Sequence, residues 1–484
     1  MTGFGCSICV AAAGLFCYHR IDYQQGAQFN MHLFNDKDFN RRLITLTIPM
    51  ALQSLMLASV AAADAIMLGR LDQNSMAAVS LATQVQFVMN MFLSAATMPG
   101  AILGAQYYGK QDKATLNDIF CLMLRIVLVI DVVFFIGCMF FPGALMTIFT
   151  NDPTLHEIGV GYLRIAGWSY LLVGFSQCYL IMMKVSDHAA RTAIVSSGAV
   201  IINIVLNAVF IFGLFGIPGM GARGAALATL LSRIVELVWS VVSSYQKGFL
   251  RPDFKQFFRR NPLLEKDFVH ISMPLLGASL LWGIGFTSYT AIMGHLGQDA
   301  AAANSVAAVV RELMCCLCNG ISSAAAVMLG NELGAGNLPR AKDWGRRLMV
   351  ISFLIGFLTM AAILAVIPPV LHFYKLTDGA RTYLSGMLII TAFYIIGRCV
   401  NTVIINGIFD GGGDTAFDVY SLAVTMWGIA IPTALLGAFV LHWPVLAVFA
   451  CTCLDEVGKI PWTMAHFYKY KWLKDLTRDF ERQE

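Results

Sequence analysis

The chain has 484 residues, 58% of them hydrophobic and only 13% charged, with a formal net charge of +4. Soluble domains hold roughly 45–50% apolar and about 25% charged residues, so this composition excludes a water-soluble globular fold. The basic residues sit in short stretches between apolar runs instead of on a patch or tail, which argues against a nucleic-acid partner.

Residues 6–17 form an apolar stretch too brief to span a bilayer, with few flanking charges to orient it, and Met31 is a candidate true start. Beyond it come apolar runs that reach the roughly 20 residues a membrane-crossing helix needs. They predict about twelve spans, near residues 43–69, 79–108, 119–148, 159–183, 192–215, 222–246, 268–295, 302–330, 345–374, 382–408, 416–441 and 443–468. The expected fold is an all-α integral membrane protein. Residues 1–42 would be an N-terminal segment, 43–246 a first lobe, 247–267 a linker, 268–468 a second lobe and 469–484 a tail.

Lys and Arg favour the cytoplasmic side. They concentrate in alternate loops, with Lys247, Arg251, Lys255, Arg259, Arg260 and Lys266 in one and Arg340, Lys342, Arg346 and Arg347 in another. Lys469, Lys471, Lys474, Arg478 and Arg482 at one end agree with Lys37, Arg41 and Arg42 at the other. Both termini are therefore expected in the cytoplasm.

Of twelve cysteines, Cys121, Cys138, Cys178, Cys315, Cys316, Cys318, Cys399, Cys451 and Cys453 lie within apolar runs, where small buried thiols are the expectation. The clusters at 315–318 and 451–453 lack the histidine partners and polar setting of a zinc site.

The pattern around Pro49 and Ile66-Met67-Leu68-Gly69 recurs around Pro274 and Ile292-Met293-Gly294, with both pairs at one constant offset. Leu103-Gly104 with Gly109 is likewise answered by Leu329-Gly330 with Gly336. Two parallel repeats of six spans would form pseudo-symmetric lobes facing a central cavity, an arrangement that suits alternating access.

Several motifs then fall in order: Ala63-Asp64-Ala65-Ile66-Met67-Leu68-Gly69; Asn203 and Asn207 leading into Ile211-Phe212-Gly213; residues 221–229; Gly411-Gly412-Gly413-Asp414-Thr415; and Trp472-Leu473. From about residue 40 to 475 the chain resembles the multidrug and toxic compound extrusion family. The resemblance implies a proton- or sodium-coupled exporter of amphipathic, often cationic organic compounds in a bacterial plasma (inner) membrane. A monomer among lipids, with no enzymatic activity and no cofactor beyond the coupling ion, is the matching expectation.

Asp64 is the first candidate, because an aspartate inside a span is costly and by default belongs to a cavity or ion path. Asp64, Asn207 and Thr229 lie within about five to eight residues of the outer ends of their spans, roughly 8–12 Å deep at 1.5 Å per residue, so they can share one pocket. Asn203 and Asn207, four apart, face the same way. Such a carboxyl can exchange a proton or, ionised among side-chain oxygens, bind sodium, and the sequence does not choose.

The second lobe departs from family members that carry acids in spans 7 and 10, since those positions hold Trp282 and approximately Cys399. Candidates for a substrate cavity there are Arg311, Glu312, Tyr289, Trp282 and Arg398, with Phe87, Met89, Met91 and Tyr394 as apolar lining. Adjacent Arg311 and Glu312 should point apart and not neutralise each other. Arg233 and Glu236 can pair locally, Glu456 and Lys459 read as a surface ion pair at the cytoplasmic mouth, and Asp131 has no evident role. Arg311 and Arg398 keep open an alternative, a lipid-linked-oligosaccharide flippase with a cationic cavity. No hydrolase or zinc-protease motif is present, and Gly411–Gly413 has neither the preceding strand nor the following Lys of a phosphate loop.

Overall fold

A computed structural model describes residues 36–479 except 217, 247, 251, 254–256, 374 and 375, so Met31, Lys247, Arg251, Lys255 and Arg482 lie outside it. Among the described residues there is no strand. Among these residues, eleven helices are long and apolar enough to cross a membrane. They are α1 Lys37–Leu71, α2 Gln73–Gly109, α3 Lys113–Phe140, α4 Pro153–Val185, α5 Ala189–Phe212, α6 Gly221–Ser244, α7 Pro262–His295, α8 Gln298–Gly334, α9 Leu338–Phe373, α10 Asp378–Phe409 and α11 Ala416–Val440. The twelfth expected span is two shorter helices, α12 Val445–Thr452 and α13 Leu454–Phe467.

Side-chain caps start many of these helices, because the first amides of a helix have no partner inside it. Asp36 accepts from the Asp38 and Phe39 amides, Asp72 from Ser75, Asp112 from Thr115, Asp152 from Thr154 and Leu155, and Asn261 from Leu264. The Asn261 cap starts α7 at Pro262, inside the stretch read as linker. Span 3 is also shorter than expected. α3 stops at Phe140, and Pro142, placed where its missing N–H costs nothing, begins a separate short helix Pro142–Phe149. Gly213 in the left-handed conformation ends α5 two residues before the expected boundary.

In the first lobe α4 packs on α2, α3 and α6, and α5 on α1 and α6; in the second, α10 packs on α8, α9 and α13. The lobes meet along α1, α2, α7 and α8. Helices α1 and α7 each cross this boundary. The first half of α1 sends Phe39, Leu46 and Met50 into the core of α8–α10, while the first half of α7 sends Leu264, Phe268 and Ile271 into the core of α2–α4. This exchange is pseudo-symmetric, as the repeat requires. The last eight residues of α10, Thr402–Phe409, wind in wide π-type turns, a distortion often found where a helix carries function. The nine apolar-run cysteines are buried free thiols.

Candidate functional site

Asp64 stands in the second half of α1, where that helix leaves the second lobe's core and lies against α5. Asn207 Nδ2 on α5 donates to Asp64 Oδ1 (2.5 Å) and lies 3.1 Å from Asn203 Oδ1 one turn back. Asn203 Nδ2 continues the chain to Thr229 Oγ1 (3.4 Å) and Ser232 Oγ (3.3 Å) on α6. The expected four residues thus form one connected group across three helices. The i, i+4 spacing of the asparagines turns both amides inward, and both are buried. Asn207 Oδ1 is buried with no hydrogen-bond partner. An acceptor left without a donor beside a carboxylate fits either a proton placed there or a hard cation, which takes oxygen ligands. Among the described residues no cluster of three or more His, Cys, Asp or Glu could hold a metal ion, so any cation here would rest on Asp64, amide and hydroxyl oxygens. Farther along α6, Arg233 and Glu236 pair at 2.6 Å, and Ser176 donates to Glu236 from α4.

Cavities lined by described residues lie outside this group. The larger, about 330 Å³, sits between the lobes, bounded by Phe87, Met91 and Ser94 of α2, Trp282 of α7, α10 and the charged residues Asp418 and Lys459. That volume is within the range of small-molecule pockets. The smaller, about 30 Å³, holds Tyr289, Arg311, Glu312, Tyr394 and Asp455, and both share Trp282 and Arg398. The five residues expected at a substrate cavity line the smaller void, and only Trp282 and Arg398 of them reach the larger. Met89 lines neither: it is fully buried in the first lobe's core, because it faces away from Met91 on the same helix.

The charges are arranged differently from expectation in two places. Arg311 Nε lies 3.7 Å from Glu312 Oε1, since long side chains can curl along a helix and meet although their Cβ atoms diverge. Arg311 also lies over the rings of Phe286 and Tyr394. Glu456 and Lys459 are not at a surface. The helix break at Cys453 carries α13 into the protein, leaving both side chains buried. Arg398 Nη1 donates to Glu456 Oε1 (2.8 Å), Asn401 Nδ2 donates to Glu456 Oε2 (2.8 Å), and Thr463 Oγ1 donates to Asn401 Oδ1 (3.1 Å). A buried glutamate needs this much compensation for its lost hydration. Asp131 is also fully buried, with its carboxylate against the Gly174 backbone of α4.

The face carrying both described ends of the chain is shut. Gly330 and Gly334 of α8 lie against Ala105 and Gln106 of α2, and a Cβ on Gly334 would run into the Gln106 carbonyl. Over this seam runs the segment after α13. Trp472 is fully buried against Gly345, Gln106 Oε1 accepts from the Leu476 amide (2.7 Å), and Tyr107 Oη accepts from the Arg478 amide (3.0 Å). Arg42 and Arg340 both approach Glu332, fastening α1 and α9 to α8. Sequence reasoning missed Ser232, Asn401, Asp418 and this strap. Asn401 lies three residues from Arg398, a spacing that places both on one helix face and could have flagged it.

The MatE family model matches residues 49–209 and again 274–436. An uncharacterized transporter of Bacillus subtilis, YisQ, is 24% identical over 436 residues, spanning 87% of this chain and 92% of the relative. The probable multidrug resistance protein NorM of Mesorhizobium japonicum is 24% identical over 82% of the chain and 87% of the relative, and MdtK of Edwardsiella ictaluri, a multidrug resistance protein, is 23% identical. A MOP-superfamily transporter from Pyrococcus furiosus superposes with a TM-score of 0.82 at 18% identity, over 90% of this chain and 96% of that one. A multidrug resistance MATE transporter solved in an outward-facing conformation gives 0.80 at 18% identity, over 89% and 96%.

Proposed function

Because the chain belongs to the multidrug and toxic compound extrusion (MatE) family of membrane transporters, we propose that it is a secondary active antiporter of a bacterial plasma membrane. It exports amphipathic organic compounds in exchange for protons or sodium ions taken up at Asp64, with both termini in the cytoplasm. The shut face then points to the cytoplasm and the structure corresponds to an outward-facing state.

The observation that carries this reading is the double role of α1. Its outer half holds Asp64 in the amide and hydroxyl chain of α5 and α6, while its inner half is buried in the opposite lobe. Adding a proton or sodium ion to Asp64 changes what Asn207 can donate to, and so changes how α1 is held against the first lobe. That supplies the differential interaction that an ion must have to bias one conformation over another. The inter-lobe cavity offers aromatic and thioether surface for the organic compound, and Asp64 does not line it, so ion and compound have separate places. The lipid-linked-oligosaccharide alternative needs a strongly cationic cavity, whereas Arg398 and Arg311 each stand against a glutamate.

The test is transport of a fluorescent organic cation in proteoliposomes under an imposed pH gradient or an imposed sodium gradient. Movement driven by one of them supports the proposal and names the ion. Gradient-independent behaviour across a broad compound panel overturns it.

A further inference from the structure

The chain after α13 is attached to both lobes, in two adjoining blocks. Trp472 and Leu473 belong to the second lobe: the Trp472 ring is fully buried, stacks on Phe467 at 5.6 Å, and a Cβ on Gly345 of α9 would fall 2.5 Å from it. Residues 474–478 belong to the first. The buried Gln106 amide of α2 donates to the Lys474 carbonyl (3.3 Å) and accepts from the Leu476 amide (2.7 Å), and the Leu476 side chain packs on the core of α2–α4. The Arg478 amide donates to Tyr107 Oη (3.0 Å), and its guanidinium forks onto Asp267 in the part of α7 that lies in the first lobe (2.8 and 2.9 Å). Leu473 and Lys474 are neighbours, and one residue spans at most about 3.6 Å, so the lobes cannot part by more than a few ångströms while both blocks hold. The blocks are unequal. Withdrawing Trp472 would expose a whole indole to water, whereas residues 474–478 have no regular structure and are held mainly by hydrogen bonds that water can replace.

We propose that residues 474–478 are a latch. Hinged at Trp472, they hold the shut face closed by clasping Gln106, Tyr107 and Asp267, and they must release the first lobe before that face can open. This rests on the alternating access of the export reading and adds to it the element that sets how often the shut face opens. A tail merely draped over the closed seam would follow its opening without changing its frequency.

Leu476→Pro tests this, because it removes the amide that Gln106 Oε1 accepts from and alters no residue of the α2–α8 contact itself. A buried amide oxygen left without its donor should move the closed-to-open ratio toward open by roughly 5- to 150-fold. The readout is pulsed EPR on the full chain in lipid nanodiscs, with nitroxides at Lys113→Cys in the first lobe and Ala335→Cys in the second. Both positions are exposed at the shut face, and Cys6, Cys9 and Cys17 are replaced by serine to confine the labels. Leu476→Pro should enlarge the longer-distance population, whereas Lys471→Ala, an exposed change on the same tail, should leave it as in the unsubstituted chain. Gln106→Met, which keeps the side chain's length and drops its amide, replaces Leu476→Pro if that variant does not fold. Hydrogen exchange at residues 474–478 that accelerates while the inter-lobe distances stay unchanged shows a passenger and overturns the latch. Transport by the same proteins separates the two levels. A chain that moves no compound under either gradient yet opens when the clasp is cut loses only the export reading; one that exports, yet opens no more readily in Leu476→Pro than in Lys471→Ala, loses only the latch.

Discussion

Gly330→Ala is the sharpest perturbation of the shut face. A Cβ at Gly330 would lie 2.6 Å from the Ala105 Cβ, whereas carbon atoms settle at about 3.5–4.0 Å, so α2 and α8 must separate by roughly 1 Å. There is little local give, because Gly109 and Gly334 on the same seam already meet the backbone of Asn331 and Gln106. Overpacking of this kind costs about 1–3 kcal/mol. Falling on the closed arrangement alone, it shifts the closed-to-open ratio by roughly 5- to 150-fold. The strap reports the shift: its Leu476 and Arg478 amides bond to Gln106 and Tyr107 only while the seam is shut. Hydrogen exchange of residues 474–478 should therefore accelerate by a similar factor. Gly294→Ala is the control, since a Cβ there meets nothing within 4 Å. Unchanged exchange in Gly330→Ala, or equal acceleration in Gly294→Ala, would refute the argument.

Arg398→Ala leaves Glu456 buried without its closest cation and should cost about 3 kcal/mol or more of stability, of which the added Glu456→Gln recovers part by removing the stranded charge. Thermal unfolding of both variants checks this, and a double variant no more stable than the single would contradict it. A second prediction concerns pH. Burial works against the Asp36 carboxylate, but the Phe39 amide, the Trp344 indole, Arg347 and the Asp38 amide outweigh it and hold Asp36 below the usual carboxylate range. A group so depressed contributes stability above its unfolded pKa and loses it as pH falls through the folded value. Unfolding temperature should therefore drop more steeply below about pH 4 in the wild type than in Asp36→Ala, whose lost cap costs about 1 kcal/mol at neutral pH. Parallel curves would show that Asp36 does not act this way.

What the sequence made legible was what repeats or breaks a pattern. An aspartate in an apolar run, two asparagines four apart and a threonine at matching depth are local facts, and their convergence followed from helix geometry alone. The charged group around Glu456 was hidden for a different reason. Residues 443–468 have the length and polarity of one continuous span, so Glu456 and Lys459 were counted toward its end; the break at Cys453 and the entry of α13 between α10 and α11 are tertiary facts. The Arg311–Glu312 contact depended on rotamers that spacing does not encode. The strap over Gln106 had no signal either, because its bonds use backbone amides that any residue supplies. Of the tail, the sequence marked its basic residues and the Trp472-Leu473 pair, and Trp472 is the residue buried in the second lobe's core, with Leu473 packed against that core.

The central claim, that Asp64 couples ion entry to export, is tested most directly by comparing wild type and Asp64→Asn in proteoliposomes for two processes: gradient-driven uphill transport and downhill exchange of the same compound. Asparagine keeps the size of the side chain and an oxygen for Asn207 but carries no exchangeable charge. The account predicts that uphill transport is lost while downhill exchange persists, since the cavity is untouched. Uphill transport at the wild-type rate in Asp64→Asn would contradict it.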